Sequence, residues 1–178
     1  AKGGNGPECI GIYSNNDMEI DNQSIIDAFG CIAYAYAYAY EPYFAIGIAS
    51  THELSILGSG TINASGSGAH FSVGFHSDVE DIIINTSGII NCKGEMDDYN
   101  FGMNTLVGKL IIRSGNVTIR GTTRAVSGNA APDLSEYINA DAIASVNFDG
   151  SNAEIYDPAK IANYKYFHIE RRVLDLAN

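Results

Sequence analysis

The chain has 178 residues, enough for one well-buried domain and too few for two ordinary ones. Only 17% of the residues are charged against 46% hydrophobic, which excludes a disordered chain. The formal charge of -11 argues against binding nucleic acid through its phosphates, and no apolar run of about 18 residues is present to insert into a membrane.

The first residues, Ala1-Lys-Gly-Gly-Asn-Gly6, read as a loop without a signal-peptide pattern. A trimmed mature fragment begins in this way, so an extracellular or cell-surface location stays open. The segment Ile10-Gly-Ile-Tyr-Ser14 then opens a unit that recurs at Ile46–Ser50, Val73–Ser77 and Phe101–Thr105. Each opening is followed by a second alternating segment: Met18–Ile20, Leu54–Ile56, Ile82–Ile84 and Leu110–Ile112. A third ends in glycine: Ile26–Gly30, Ile62–Gly66, Ile90–Gly94 and Val117–Gly121. Stacking the units puts apolar residues in six columns, among them Ile10, Ile46, Val73, Phe101 and Ile12, Ile48, Phe75, Met103.

Three short strands per unit, each with period-2 alternation, predict an all-β fold. The expected architecture is a right-handed parallel β-helix, a single-stranded solenoid of about four to five coils with a C-terminal cap. One domain covers 1–178, with regular coils over 9–121 and an irregular coil and cap over 122–178. The alternative is a β-sandwich whose strands look alike. Ser14, Ser50, Ser77 and Thr105 stack at one turn, where hydroxyls can satisfy backbone groups. Asp27, Asn63, Asn91 and Thr118 form an outward polar column that can hydrogen-bond along the stack.

Between the first and second units lies an insertion, Cys31-Ile-Ala-Tyr-Ala-Tyr-Ala-Tyr-Ala-Tyr40-Glu-Pro-Tyr-Phe44. In an extended chain Tyr34, Tyr36, Tyr38 and Tyr40 share one face, and Tyr43 follows. Such a row can stack on sugar rings and hydrogen-bond their hydroxyls. It equally fits a protein partner, a homo-oligomer contact, or a hairpin folded back on the body.

Charge is uneven. Residues 1–92 hold one base, Lys2, and ten acids, whereas 93–178 hold nine bases and eleven acids. A cation would therefore be drawn to the N-terminal half. There Asp78, Glu80 and Asp81 crowd one turn, which reads either as a solvated acidic turn or as a calcium site. A second acidic group is Glu95, Asp97 and Asp98. His52 and His76 lie in similar turns and lack a third ligand for a transition metal. Cys9, Cys31 and Cys92 read as buried thiols, and pairing of Cys9 with Cys31 stays open.

No catalytic motif is present. Glycoside hydrolysis needs two carboxylates across a groove, and Asp27 is stacked with amides instead. The reading is a non-catalytic module. A small polysaccharide lyase or hydrolase and a protein-contacting adhesion module are its alternatives.

The unit Ile46–Gly66 resembles the repeats of bacterial surface proteins described as carbohydrate-binding domain-containing, which form right-handed parallel β-helices. The tail Asp157–Ile169 resembles segments that follow such repeats. The resemblance implies extracellular display, calcium binding, and adhesion to a polysaccharide such as an acidic plant cell-wall glycan. It assigns no binding residue to a position in this chain.

Overall fold

The computed structural model describes residues 1, 8–31, 44–68, 70–95, 99–127, 131–138 and 140–171. The first unit holds β1 (Glu8–Ser14), β2 (Met18–Asn22) and β3 (Ile25–Cys31). The second holds β4 (Phe44–Ser50), β5 (Leu54–Gly58) and β6 (Thr61–Ser67). The third has only β7 (Phe71–Ser77) and the 14-residue β8 (Ile82–Glu95). The fourth has β9 (Tyr99–Thr105) and the 12-residue β10 (Leu110–Gly121). Four strands follow: β11 (Arg124–Ser127), β12 (Ala140–Ser145), β13 (Glu154–Ile155) and β14 (Tyr166–Arg171). A short 3-10 helix, Pro158–Asn163, starts on an Asp157 cap. Among the described residues, no helix is long and apolar enough to cross a membrane.

The expected single-stranded β-helix is not what forms. The strands gather into two sheets: a parallel five-stranded one in the order β1-β4-β7-β9-β11, and a mixed nine-stranded one. The physical reason is visible in the third and fourth units. There the second and third segments run on as one long strand with unbroken in–out alternation in β8, so two walls replace three. In addition, β14 and β12 join the larger sheet antiparallel. The all-β class stands, and the C-terminal strands extend a sheet rather than close a coil.

The registers between units follow the columns. Ile10 faces Ile46, which faces Val73, which faces Phe101. Ile20 faces Ile56, then Ile84, then Ile112. Between the sheets lies the main core, with Ile48, Phe75, Met103, Ile56, Ile84, Ile90 and Ile119 all buried. One column departs from expectation. Ile46, Val73 and Phe101 belong to a second, separate cluster, packed with Ala49, Phe44 and Phe71.

The glycine that follows each of these residues explains the split. A Cβ on Gly47 would lie 2.6 Å from the Ser65 amide nitrogen, and one on Gly66 would lie 1.9 Å from the Ala45 carbonyl oxygen. The two sheets therefore touch backbone to backbone along a seam where no side chain fits. The ladder skips Gly47, pairing Ile46 with Val73 and then Ile48 with Phe75. The strict alternation breaks at that point, so Ile46 and Ile48 end up in different clusters.

Candidate functional site

The outer face of the nine-stranded sheet carries two polar rows. Asp27, Asn63, Asn91, Thr118 and His168 occupy facing positions on five adjacent strands, β3, β6, β8, β10 and β14. Their alternate neighbours Ile62, Ile90, Val117 and Ile169 point into the core, which leaves these side chains outward. Asn63 donates through Nδ2 to Asp27 Oδ1 at 2.8 Å, and Asn91 Nδ2 donates to Asn63 Oδ1 at 2.8 Å. Thr118 Oγ1 and His168 Nδ1 are 2.9 Å apart. Each amide spends one of its two N–H donors along the ladder.

Two residues further along β3, β6, β8 and β10, and two residues back on the antiparallel β14, Phe29, Ser65, Lys93, Arg120 and Tyr166 make the second row. Lys93 Nζ pairs with Glu95 Oε1 at 2.5 Å and lies 5.7 Å from the centre of the Phe148 ring. The Arg120 guanidinium lies 5.4 Å from the Tyr166 ring centre. That ring is stacked in turn on His168. Arg120 Nε is buried without a hydrogen-bond partner among the described residues, a costly arrangement in a packed wall. Phe29 is 41% exposed at one end. Between the two rows runs an open groove of about 350 Å³ lined by Phe29, Asn63, Asn91, Lys93, Thr118 and Arg120.

A tier of turns carries the second group of candidates. The stacked hydroxyls hold these turns: Ser50 Oγ lies 2.6 Å from Asn16 O and 3.1 Å from Glu53 O. Ser77 Oγ lies 2.7 Å from both His52 O and Glu80 O. The expected calcium set does not share one point. Asp78 Oδ1 is 2.8 Å from His76 Nε2, and Asp81 Oδ1 accepts from the Lys109 backbone at 2.7 Å. Glu80 turns the other way, to His52 Nδ1 at 3.3 Å. Asp17, His52 and Glu80, from three successive turns, bring their ligand atoms within 4.8 Å of one another. One imidazole with two carboxylates suits a transition metal better than calcium, which takes oxygen ligands.

His76 is a satisfied core histidine. Asn104 Nδ2 donates to its Nδ1 at 3.0 Å and its Nε2 side meets Asp78, so both ring nitrogens are used. Tyr34, Tyr36, Tyr38, Tyr40 and Tyr43 lie outside the described residues, as do Asp97 and Asp98. Sequence reasoning found the Asp27–Thr118 column. It missed that Phe29, Ser65 and Tyr166 complete the second row, and that β14 brings His168 across from a position 50 residues away. The available signal was the alternation Tyr166-Phe-His-Ile169, which matches the outward–inward order of β10.

No protein family, no curated protein and no solved structure matches this chain.

Proposed function

We propose that this chain is a non-catalytic polysaccharide-binding module of a secreted or surface-exposed protein. The glycan would lie along the two-row groove. The observation that carries the reading is the groove's chemistry. Amides, a hydroxyl and two cations alternate with an exposed Phe29 edge and the Tyr166 ring over a shallow, open face. Sugar hydroxyls need paired donors and acceptors, and sugar C–H faces pack on aromatic rings. An extended chain needs an open trough rather than an enclosed cavity. The resemblance of Ile46–Gly66 to bacterial surface repeats leans the same way. An ion-assisted form would require calcium to draw the Asp78, Glu80 and Asp81 carboxylates, which now point to different partners, onto one ion.

Affinity electrophoresis against a polysaccharide panel, including polygalacturonate, tests both forms, with calcium and with a chelator. The expected result is retardation on at least one glycan, weakened about tenfold or more by Asn91→Ala with Arg120→Ala, in keeping with the loss of two groove hydrogen-bonding groups. Retardation that disappears with chelator supports the calcium form. No retardation on any glycan overturns the reading. Release of new reducing or unsaturated ends would replace it with a catalytic one.

A further inference from the structure

The two ends of the stack are finished differently. At one end β14 pairs with β10, and Tyr164 O accepts from the β11 amide of Ala125 at 2.7 Å. At the other end β1, β2 and β3 have a neighbouring strand on one side only among the described residues. The core pays for this locally: Ile12, Met18, Ile20 and Ile26 are half-buried, while Ile48, Leu54, Ile56 and Ile62 in the next unit are buried. Ile25 is 71% exposed.

The β3 part of this edge already exchanges backbone hydrogen bonds with Ala1. The Phe29 amide donates to Ala1 O at 2.9 Å, and the Ala1 amine donates to Asp27 O. Beside that short contact, β2 offers a run from Met18 to Asn22 whose outer side has no strand partner among the described residues. Along it Glu19 and Asp21 are exposed, and the alternate residues Met18 and Ile20 face the core. Asp17 is exposed just before. The first Lys or Arg among the described residues is Lys93, so nothing basic on these strands offsets them.

Charge and topology select the occupant. A second copy placed edge to edge would set carboxylates against carboxylates. A second copy placed head to tail would meet the two-residue β13 at the far edge of the same sheet, which carries Glu154 and offers too little backbone to pair with the five residues of β2. We propose that the β2 edge takes an extended segment of another protein as an added strand, in which apolar residues alternate with Lys or Arg. The apolar positions would complete the columns above Met18 and Ile20, and the basic ones would stand beside Glu19 and Asp21. Backbone pairing supplies affinity and the alternation supplies specificity.

The test uses three synthetic peptides: Ile alternating with Lys, Ile alternating with Glu, and the Ile–Lys peptide with prolines that cannot donate to a ladder. Hydrogen exchange of the intact chain reports where each one docks. The expected result is exchange slowed about tenfold over Met18–Asn22 by the Ile–Lys peptide alone, weakened by salt and lost in Glu19→Lys with Asp21→Lys. Both substitutions are at exposed positions; should the variant misfold, the Ile–Glu peptide tests the same charge dependence on the unaltered chain. Equal protection by the Ile–Glu peptide or by the proline peptide overturns the proposal, as does protection away from β2. No protection by any peptide also overturns it. Concentration-dependent protection of β2 without peptide, with dimers in sedimentation, would replace the partner with a second copy.

Discussion

The stacked units and the C-terminal segment 131–171 bury their share of one core by different means. In the units the ladder contacts are mostly between equivalent positions of successive units. Isoleucine sits on isoleucine, amide on amide, and the Ser50 and Ser77 hydroxyls on carbonyls of their own and the preceding turn. The C-terminal segment has no copy to lean on. It contributes Tyr137, Phe167 and Ile169 to the core, sets Tyr156 edge-on to Phe167 at 4.9 Å, and relies on ionised groups at its surface. Hydrogen bonds from Ser135 hold the Asp133 carboxyl below the usual carboxylate range, and the Ser151 backbone does the same for Asp149. Lys160 and then the Tyr164 hydroxyl hold Glu154 low. Burial pushes the Tyr156 and Tyr137 hydroxyls up. A repeat can reuse one apolar solution, whereas a terminus is solved once, with whatever polar pairs its geometry permits.

The largest effect should come from the seam. Gly66→Ala places a methyl 1.9 Å from a backbone oxygen that cannot swing away, so the two sheets must part. Urea denaturation is expected to show a loss of about 3 kcal/mol or more, spread over all units. A loss below about 1 kcal/mol would mean the sheets do not depend on backbone contact.

Phe167→Ala should cost about 3–5 kcal/mol and act unevenly. Phe167 is fully buried, on β14 between β10 and β12. Hydrogen exchange should show β12 and β14 opening while β5 and β6 keep their protection. Equal opening of β5 would erase the distinction between the two regions.

Acid should separate them without mutation. The stability that Asp133, Asp149 and Glu154 contribute is complete above the ordinary carboxylate range, near about pH 4. It is lost as the pH falls through their lower folded values. On the alkaline side the sign reverses for Tyr137, Tyr156 and Tyr164, whose folded hydroxyls favour the neutral form. Their contribution is complete below about pH 10 and fades as the pH rises towards their higher folded values. Amides of β12 and β14 should therefore lose protection before those of β8 at both extremes. Simultaneous loss would count against an ionised terminus.

The smallest effect is expected at the ladder. Asn63→Ala removes the link between Asp27 and Asn91 on an open face, and should lower stability by about 1 kcal/mol. A fall of several kcal/mol would give the ladder a structural weight that the apolar columns were assigned.

How much of this was legible in the sequence follows from what repeats. The columns and their registers could be read because Ile20, Ile56, Ile84 and Ile112 recur at matched positions. The outward Asn63 and Asn91 came with them. The closure could not be read. Whether Asn85–Gly88 bends into a corner or continues as a strand depends on tertiary pairing, and β8 continues. The second cluster was hidden because Ile46-Gly-Ile48 looks like simple alternation until Gly47 is set against the opposite sheet. The convergence of Asp17, His52 and Glu80 was out of reach for the same reason: the three belong to different turns, and their spacing in sequence matches no motif.

The hydroxyl stack at Ser14, Ser50, Ser77 and Thr105 has a consequence for how such a surface can change. Because each turn is held by its first residue, most of those that follow are released from maintaining its shape, Asp17 and Asp81 excepted, since each accepts from the backbone of the next turn. The same frame displays Asn15-Asn-Asp17, Thr51-His-Glu53, Asp78-Val-Glu-Asp81 and Leu106-Val-Gly-Lys109. Acidic, imidazole, aliphatic and basic chemistries already occupy equivalent shelves of one rack. Loop sequences of equal length should thus be exchangeable between shelves, and mutation could rewrite what this side of the molecule presents while the scaffold beneath it stays unchanged.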